Sequence, residues 1–81
     1  MAIKPEIGEL GNYYSSDCSL RAELVSYEEV DGFHVVAIRI LKNLDPDTKQ
    51  EYRERDIFNF RKRIDDKEDL EGLILDSGLR I

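Results

Sequence analysis

The sequence predicts a small α+β domain in which an antiparallel sheet of about three strands packs against a C-terminal helix. At 81 residues the chain is too short for a second independent core. An Asp-Gly pair between two β-prone stretches predicts a hairpin, and the last sixteen or so residues have the order of a capped amphipathic helix. We therefore expect residues 1–81 to form one domain.

The first nineteen residues are expected to form an irregular lead-in. Gly8, Gly11 and Asn12 have the turn chemistry of a loop rather than of a long regular element. Tyr13 and Tyr14 are the exception, because aromatic residues favour strands, and they are candidates for the start of a short strand.

Two strands of a hairpin are expected next, at 20–27 and 33–42. In the first, Leu20, Ala22 and Leu24 alternate with polar residues, as in a half-buried strand. Asp31 and Gly32 suit a type I′ turn, whose two central positions both need positive φ. The second stretch, FHVVAIRIL, is rich in branched side chains on both faces. It should therefore lie in the middle of a sheet with cover on each side, from the N-terminal segment or another subunit.

Residues 46–64 allow two interpretations. As a strand over 50–57, they complete a three-stranded meander. As a helix, they have Asp45 as N-cap, Pro46 at the first helical position and an apolar stripe of Ile57, Phe60 and Ile64. We favour the strand, because a two-stranded hairpin alone gives poor support to the preceding apolar strand.

A helix is predicted over about 66–76. Asp65 or Asp66 can cap it, and acidic residues in its first turn suit the positive end of the helix dipole. Its buried stripe is Leu70, Leu73 and Ile74, and Gly78 stands where a left-handed helix stop belongs. This element supplies the α part of the predicted class.

Composition and charge point to a cytoplasmic protein. A lone cysteine excludes an intrachain disulfide, and no stretch has the length of a secretory signal or a membrane span. The net charge of −6 is segregated: residues 1–31 have seven acids and two bases, 32–63 five acids and eight bases, and 64–81 six acids and two bases. An acidic chain with a basic middle is therefore expected.

No catalytic, cofactor or metal site is predicted. Cys18 and His34 are the only thiol and imidazole, so a nucleophilic dyad would need this pair, but no motif surrounds either. Acidic pairs such as Glu28 with Glu29 lack the spacing of an EF-hand, and no glycine lies in a phosphate-binding motif. The protein is therefore expected not to be an enzyme.

A basic and aromatic segment at 52–63 is the most specific functional signal. Arginine and lysine can neutralise phosphates while rings stack on bases, a combination typical of single-stranded nucleic-acid binding. The same composition also occurs in an ordinary amphipathic element with core rings and solvated charges. The candidate interaction residues are Tyr52, Arg53, Arg55, Arg61, Lys62 and Arg63.

Three functions follow from these features. The leading hypothesis is a non-enzymatic protein-interaction or regulatory module that presents a sheet face or edge to a partner or to a second copy of itself. The alternative is RNA or single-stranded DNA binding through residues 52–63. A further alternative is an acidic inhibitor of nucleic-acid-binding machinery. It requires the following acids to share one face: Glu23, Glu28, Glu29, Asp31, Asp65, Asp66, Glu68 and Asp69.

Overall fold

The computed structural model describes residues 4–16, 18–45 and 53–81, and in this part of the chain the fold is all β. The strands are β1 Leu10–Tyr14, β2 Ser19–Val30, β3 Phe33–Asn43, β4 Ile57–Arg63 and β5 Gly72–Leu75. They form one sheet in the order β4-β3-β2-β1-β5, and every neighbouring pair is antiparallel. The predicted α+β class is therefore wrong.

The β2–β3 hairpin is confirmed, and both strands extend slightly beyond their predicted bounds. Asp31 and Gly32 form the turn with φ of 51° and 81°, the positive values that a type I′ turn requires. Val36, Ile38 and Ile40 point into the core, while Val35 and Ala37 on the opposite face are only partly buried.

The predicted strand at 50–57 is wrong in position. The alternative helix over 46–64 begins at residues outside the described part of the chain, and it is wrong over 57–63, where the chain forms a strand. Residues 50–52 lie outside the described part of the chain, and residues 53–56 form a turn in which Arg55 has φ of 73°. The strand itself is β4, where exposed residues alternate with partly or fully buried ones from Ile57 to Arg63. This period of two places both Phe58 and Phe60 on the core side of the sheet. In the alternative helix, the buried residues would instead have been Ile57, Phe60 and Ile64.

The predicted C-terminal helix is also wrong. No helix occurs among the residues described, and hence none there is long and apolar enough to cross a membrane. Leu73 and Leu75 are buried with an exposed Ile74 between them, which is strand spacing. Gly78, with φ of 97°, turns the chain so that Ile81 returns alongside Leu73. The acids at 65–69 lie in the loop between β4 and β5, and loops favour the same short polar residues as helix caps.

The irregular lead-in predicted for residues 1–19 contains β1. Tyr13 and Tyr14 are in this strand but end it rather than start it. β1 pairs with β2 on one side and with β5 on the other. Part of the predicted lead-in is therefore an interior strand of the sheet.

The sheet curls around its own core. β1 and β4 are separated by two strands in the sheet order, yet the Tyr13 ring lies 5.0 Å from the Phe58 ring and 4.9 Å from the Phe60 ring. The side chains inside the curl form one cluster, with Leu20, Leu24 and Ile38 essentially inaccessible to solvent. We call the side of the sheet that faces this cluster the inner face and the opposite side the outer face.

Candidate functional site

β4 forms one edge of the sheet and pairs only with β3 among the strands described. Ile64, just after β4, donates its N–H to the carbonyl of Gly32 at 3.0 Å. Hydrogen bonding alternates along an antiparallel strand, so the backbone groups of Lys62, Phe60 and Phe58 also point toward β3. Those of Asn59 and Arg61 therefore point away from the sheet.

The other edge of the sheet, at β5, is covered by the chain itself. Leu73 and Ile81 exchange two backbone hydrogen bonds of 3.1 and 2.8 Å, and the N–H of Leu75 donates to the carbonyl of Leu79 at 2.8 Å. No comparable pairing with β4 occurs in the described ranges. The two edges thus differ, and among the described residues only β4 has outward backbone groups without a strand partner, although the carbonyl of Arg63 accepts a hydrogen bond from the N–H of Asp66 at 3.2 Å.

The outer face along β4 is cationic. The Arg61 guanidinium lies 5.1 Å from the centre of the Phe33 ring, and no carboxylate in the described ranges forms an ion pair with it. Arg63 contacts Asp65 at 3.4 Å, but both side chains are at least 70% exposed, so this pair adds little stability. Positive charge on this edge is therefore only weakly compensated. We call the segment Ile57–Arg63, with its outward backbone groups and outer-face side chains, the β4 edge.

An open cavity adjoins the end of the β4 edge. Its volume is about 340 Å³, and its walls are largely apolar because Phe33 and Ile64 form part of them. Ile64 is 47% exposed. A chain that bound along β4 could therefore also bury apolar surface at this end.

The structure separates the predicted interaction residues. Arg61 and Arg63 share the outer face of β4, and Arg53 and Arg55 are exposed in the turn before it. Lys62 lies on the inner face, where its ammonium group contacts Asp69 at 2.5 Å and only 10% of its side chain is exposed. Tyr52 lies outside the described residues.

The two phenylalanines of the basic and aromatic segment are not available for base stacking. Phe60 is 7% exposed, and Phe58 packs against the core with its ring 5.0 Å from Tyr13. Nucleic-acid binding through 52–63 stays a prediction, but among the described residues it now depends on the arginines without these rings.

Asp69 ties the chain between β4 and β5 to the rest of the fold. Its carboxylate accepts hydrogen bonds from Lys62, from the Tyr14 hydroxyl at 2.8 Å and from Arg80 at 2.6 Å. The bonds from Lys62 and Tyr14 lower the pKa of Asp69. Asp76 has a similar place next to β5, where paired hydrogen bonds from Arg21 at 2.8 and 2.6 Å lower its pKa.

These two carboxylates predict a loss of stability in acid. A pKa lower in the folded than in the unfolded state means that the stabilisation is present above the unfolded value and disappears as pH falls through the folded one. The urea midpoint should therefore fall as the pH drops below about 5. In an Asp69→Asn, Asp76→Asn double variant this fall should be smaller. Glu28→Gln, which removes a carboxylate with no ion pair in the described ranges, should keep it. Equal acid dependence in wild type and the double variant would contradict the assignment.

The acidic residues do not share a face. Glu23 pairs with Arg39 on the outer face, whereas Glu29 accepts a hydrogen bond from Tyr27 near the turn of the hairpin. Asp69 is already occupied by Lys62 and Arg80. The arrangement required for an acidic mimic of nucleic acid is therefore not present in these residues.

Cys18 and His34 lie at opposite ends of β2, so they do not form the dyad considered above. Cys18 is buried just before β2, with its sulfur 3.4 Å from the Ser15 hydroxyl oxygen. His34 pairs in register with Glu29, and its Nδ1 lies 2.6 Å from the hydroxyl oxygen of Tyr27. Burial, and then the hydrogen bond to Glu29, raise the pKa of Tyr27 to about 12.

Sequence reasoning missed Asn59, Phe33 and Ile64 as parts of the candidate site. Asn59 contributes through its backbone direction, which depends on pairing register and leaves no trace in residue type. The ring of Phe33 under Arg61 could have been found only by aligning β3 with β4.

In comparisons with known proteins, the chain matches no family model, no curated protein and no solved structure.

Proposed function

We propose that this protein is a non-enzymatic interaction module that binds a partner protein by adding an extended segment of the partner to the β4 edge. In strand addition, backbone hydrogen bonds supply affinity and alternate side chains supply specificity. The observation that carries the proposal is the outward direction of the backbone groups of Asn59 and Arg61. They lie on the side of β4 away from β3, where no other described strand pairs with it.

The length and exposure of β4 support this function. Seven residues span roughly 20 Å, enough for several ladder hydrogen bonds with an added strand. Exposed Ile57 and Ile64 lie near its two ends and could contact apolar side chains of the partner. The charged residues of β4 fit the same role, since edge charges oppose unselective strand pairing and leave binding to complementary partners.

A single backbone N–H provides the test. In Asn59→Pro the outward N–H is lost and the proline ring occupies its place, whereas Asn59→Ala removes the same side chain and keeps the N–H. Because this N–H is not part of the β3–β4 ladder, both variants should fold. Their thermal midpoints should lie within a few degrees of wild type, which corresponds to a change in the free energy of unfolding on the order of 1 kcal/mol.

Binding can be measured with eight-residue peptides selected from a random display library against the wild-type protein. We expect the selected peptides to bind wild type and Asn59→Ala alike and to bind Asn59→Pro at least about tenfold more weakly. Retention of wild-type affinity by a folded Asn59→Pro would refute binding at the β4 edge. Failure to select any specific peptide would also count against the proposal.

A further inference from the structure

We infer that the segment bound at the β4 edge is acidic, with carboxylates at alternate positions that pair with Arg61 and Arg63; this inference rests on the proposed function. Side chains at i and i+2 of a strand lie on the same face, and Arg61 and Arg63 share the outer face of β4. An added strand places its own alternate side chains beside them.

The weak pairing of the two arginines with carboxylates of the chain itself supports this inference. Arg61 has an aromatic ring beneath it and no carboxylate partner in the described ranges, and the partner of Arg63 is highly exposed at 3.4 Å. Both guanidiniums can therefore take a new carboxylate without losing a strong ion pair. In contrast, Lys62 points to the inner face and is held by Asp69, so it would not contribute.

A second copy of the chain is a poorer occupant. Antiparallel pairing of β4 with itself about a two-fold axis perpendicular to the sheet keeps the outer faces on the same side. Arg61 and Arg63 of both copies would then gather there, and like charges on neighbouring strands oppose pairing. Charge complementarity thus favours an acidic partner over self-association.

Nucleic acid is also a poorer occupant. A polyanion could pair with the arginines, but Phe58 and Phe60 face the core and cannot stack on bases. Nor can a nucleic acid form the backbone ladder that the outward groups of Asn59 and Arg61 allow. An extended acidic peptide uses both the charges and the ladder. At physiological salt the screening length is about 8 Å, so the local arginines should outweigh the net negative charge of the whole chain.

The test compares peptides of opposite charge and then reverses the charge of the two arginines. The probes are two blocked eight-residue peptides, one with alternating glutamate and valine and one with alternating lysine and valine, titrated into ¹⁵N-labelled protein. We expect wild type to bind the glutamate peptide at least about tenfold more tightly than the lysine peptide, with amide shifts centred on β4. In the Arg61→Glu, Arg63→Glu variant the preference should reverse. Both positions are exposed, so the variant should fold, and its amide spectrum serves as the check.

Three outcomes would overturn the inference. One is equal binding of the two peptides by wild type, another is shifts centred away from β4, and the third is tighter binding of a twelve-residue oligothymidylate than of the glutamate peptide. The proposed function is tested separately, with the Asn59→Pro variant. If non-acidic peptides bind wild type and lose affinity in Asn59→Pro, strand addition at β4 stands and only the acidic preference fails.

Discussion

Replacement of Leu73 by alanine should lower the free energy of unfolding by about 3 kcal/mol, whereas replacement of Leu70 should change it by less than about 0.5 kcal/mol. Leu73 is 1% exposed inside the curled sheet, and Leu70 is 68% exposed in the loop before β5. Truncation of a buried leucine costs the transfer free energy of the lost atoms and leaves a cavity. A chain of this length has a total stability of roughly 4 to 12 kcal/mol, so the Leu73 variant should be severely weakened.

Urea unfolding of the two variants, followed by circular dichroism, distinguishes the observed strand from the predicted helix. In the helix, Leu70 and Leu73 belong to one buried stripe and should be similarly sensitive. In the strand, Leu73 and Leu75 are buried and Ile74 between them is exposed, while Leu70 lies outside the strand. Two variants of equal, large effect would be evidence against β5 as described.

The hairpin of β2 and β3 was predictable because several local signals agree. Branched side chains fill β3, apolar residues alternate in β2, and the turn between them needs positive φ at Asp31 and Gly32. Local signals of this kind act within a few residues of one another. They therefore specify the structure without knowledge of the rest of the fold.

The last two strands could not be predicted, because their local signals fit more than one structure. The stretch GLIL is four residues long, and a short apolar run cannot be assigned to helix or strand by periodicity alone. β5 forms because β1 offers it a partner about sixty residues earlier in the chain, through pairs such as Tyr13 with Leu73. That long-range pairing overrides a local preference for helix.

The candidate site was predictable in its charge and not in its geometry. Arginines at 61 and 63 were recognised from composition, and their common face follows from strand spacing once β4 is known. The function that we propose for them at an edge depends on the strand order, which leaves β4 with a single neighbour among the described strands. The same order turns Lys62 and the phenylalanines inward, so one continuous sequence segment contributes to both the core and the proposed surface.

Gly11→Val should lower the free energy of unfolding by about 3 kcal/mol, since a side chain at this position would separate two paired strands. A Cβ at Gly11 would lie 2.7 Å from the carbonyl oxygen of Ile74 and 3.0 Å from the Cα of Leu75. Both atoms belong to the backbone of β5, which cannot move aside as the end of a flexible side chain can. The glycine interpreted from sequence as part of a loop is therefore a close-approach position between β1 and β5.

A graded series separates this steric effect from a general loss of strand structure. Gly11→Ala should destabilise less than Gly11→Val, because its single methyl group demands a smaller displacement of β5. Asn12→Ala, on the exposed side of the same strand, should cost less than about 1 kcal/mol, since it removes only a 3.2 Å hydrogen bond from Arg21. Hydrogen exchange should show the β5 amides least protected in the valine variant while the β2–β3 hairpin retains its protection, because the clash is confined to β5. Wild-type stability in Gly11→Val would mean that β5 does not pack against β1 at this register.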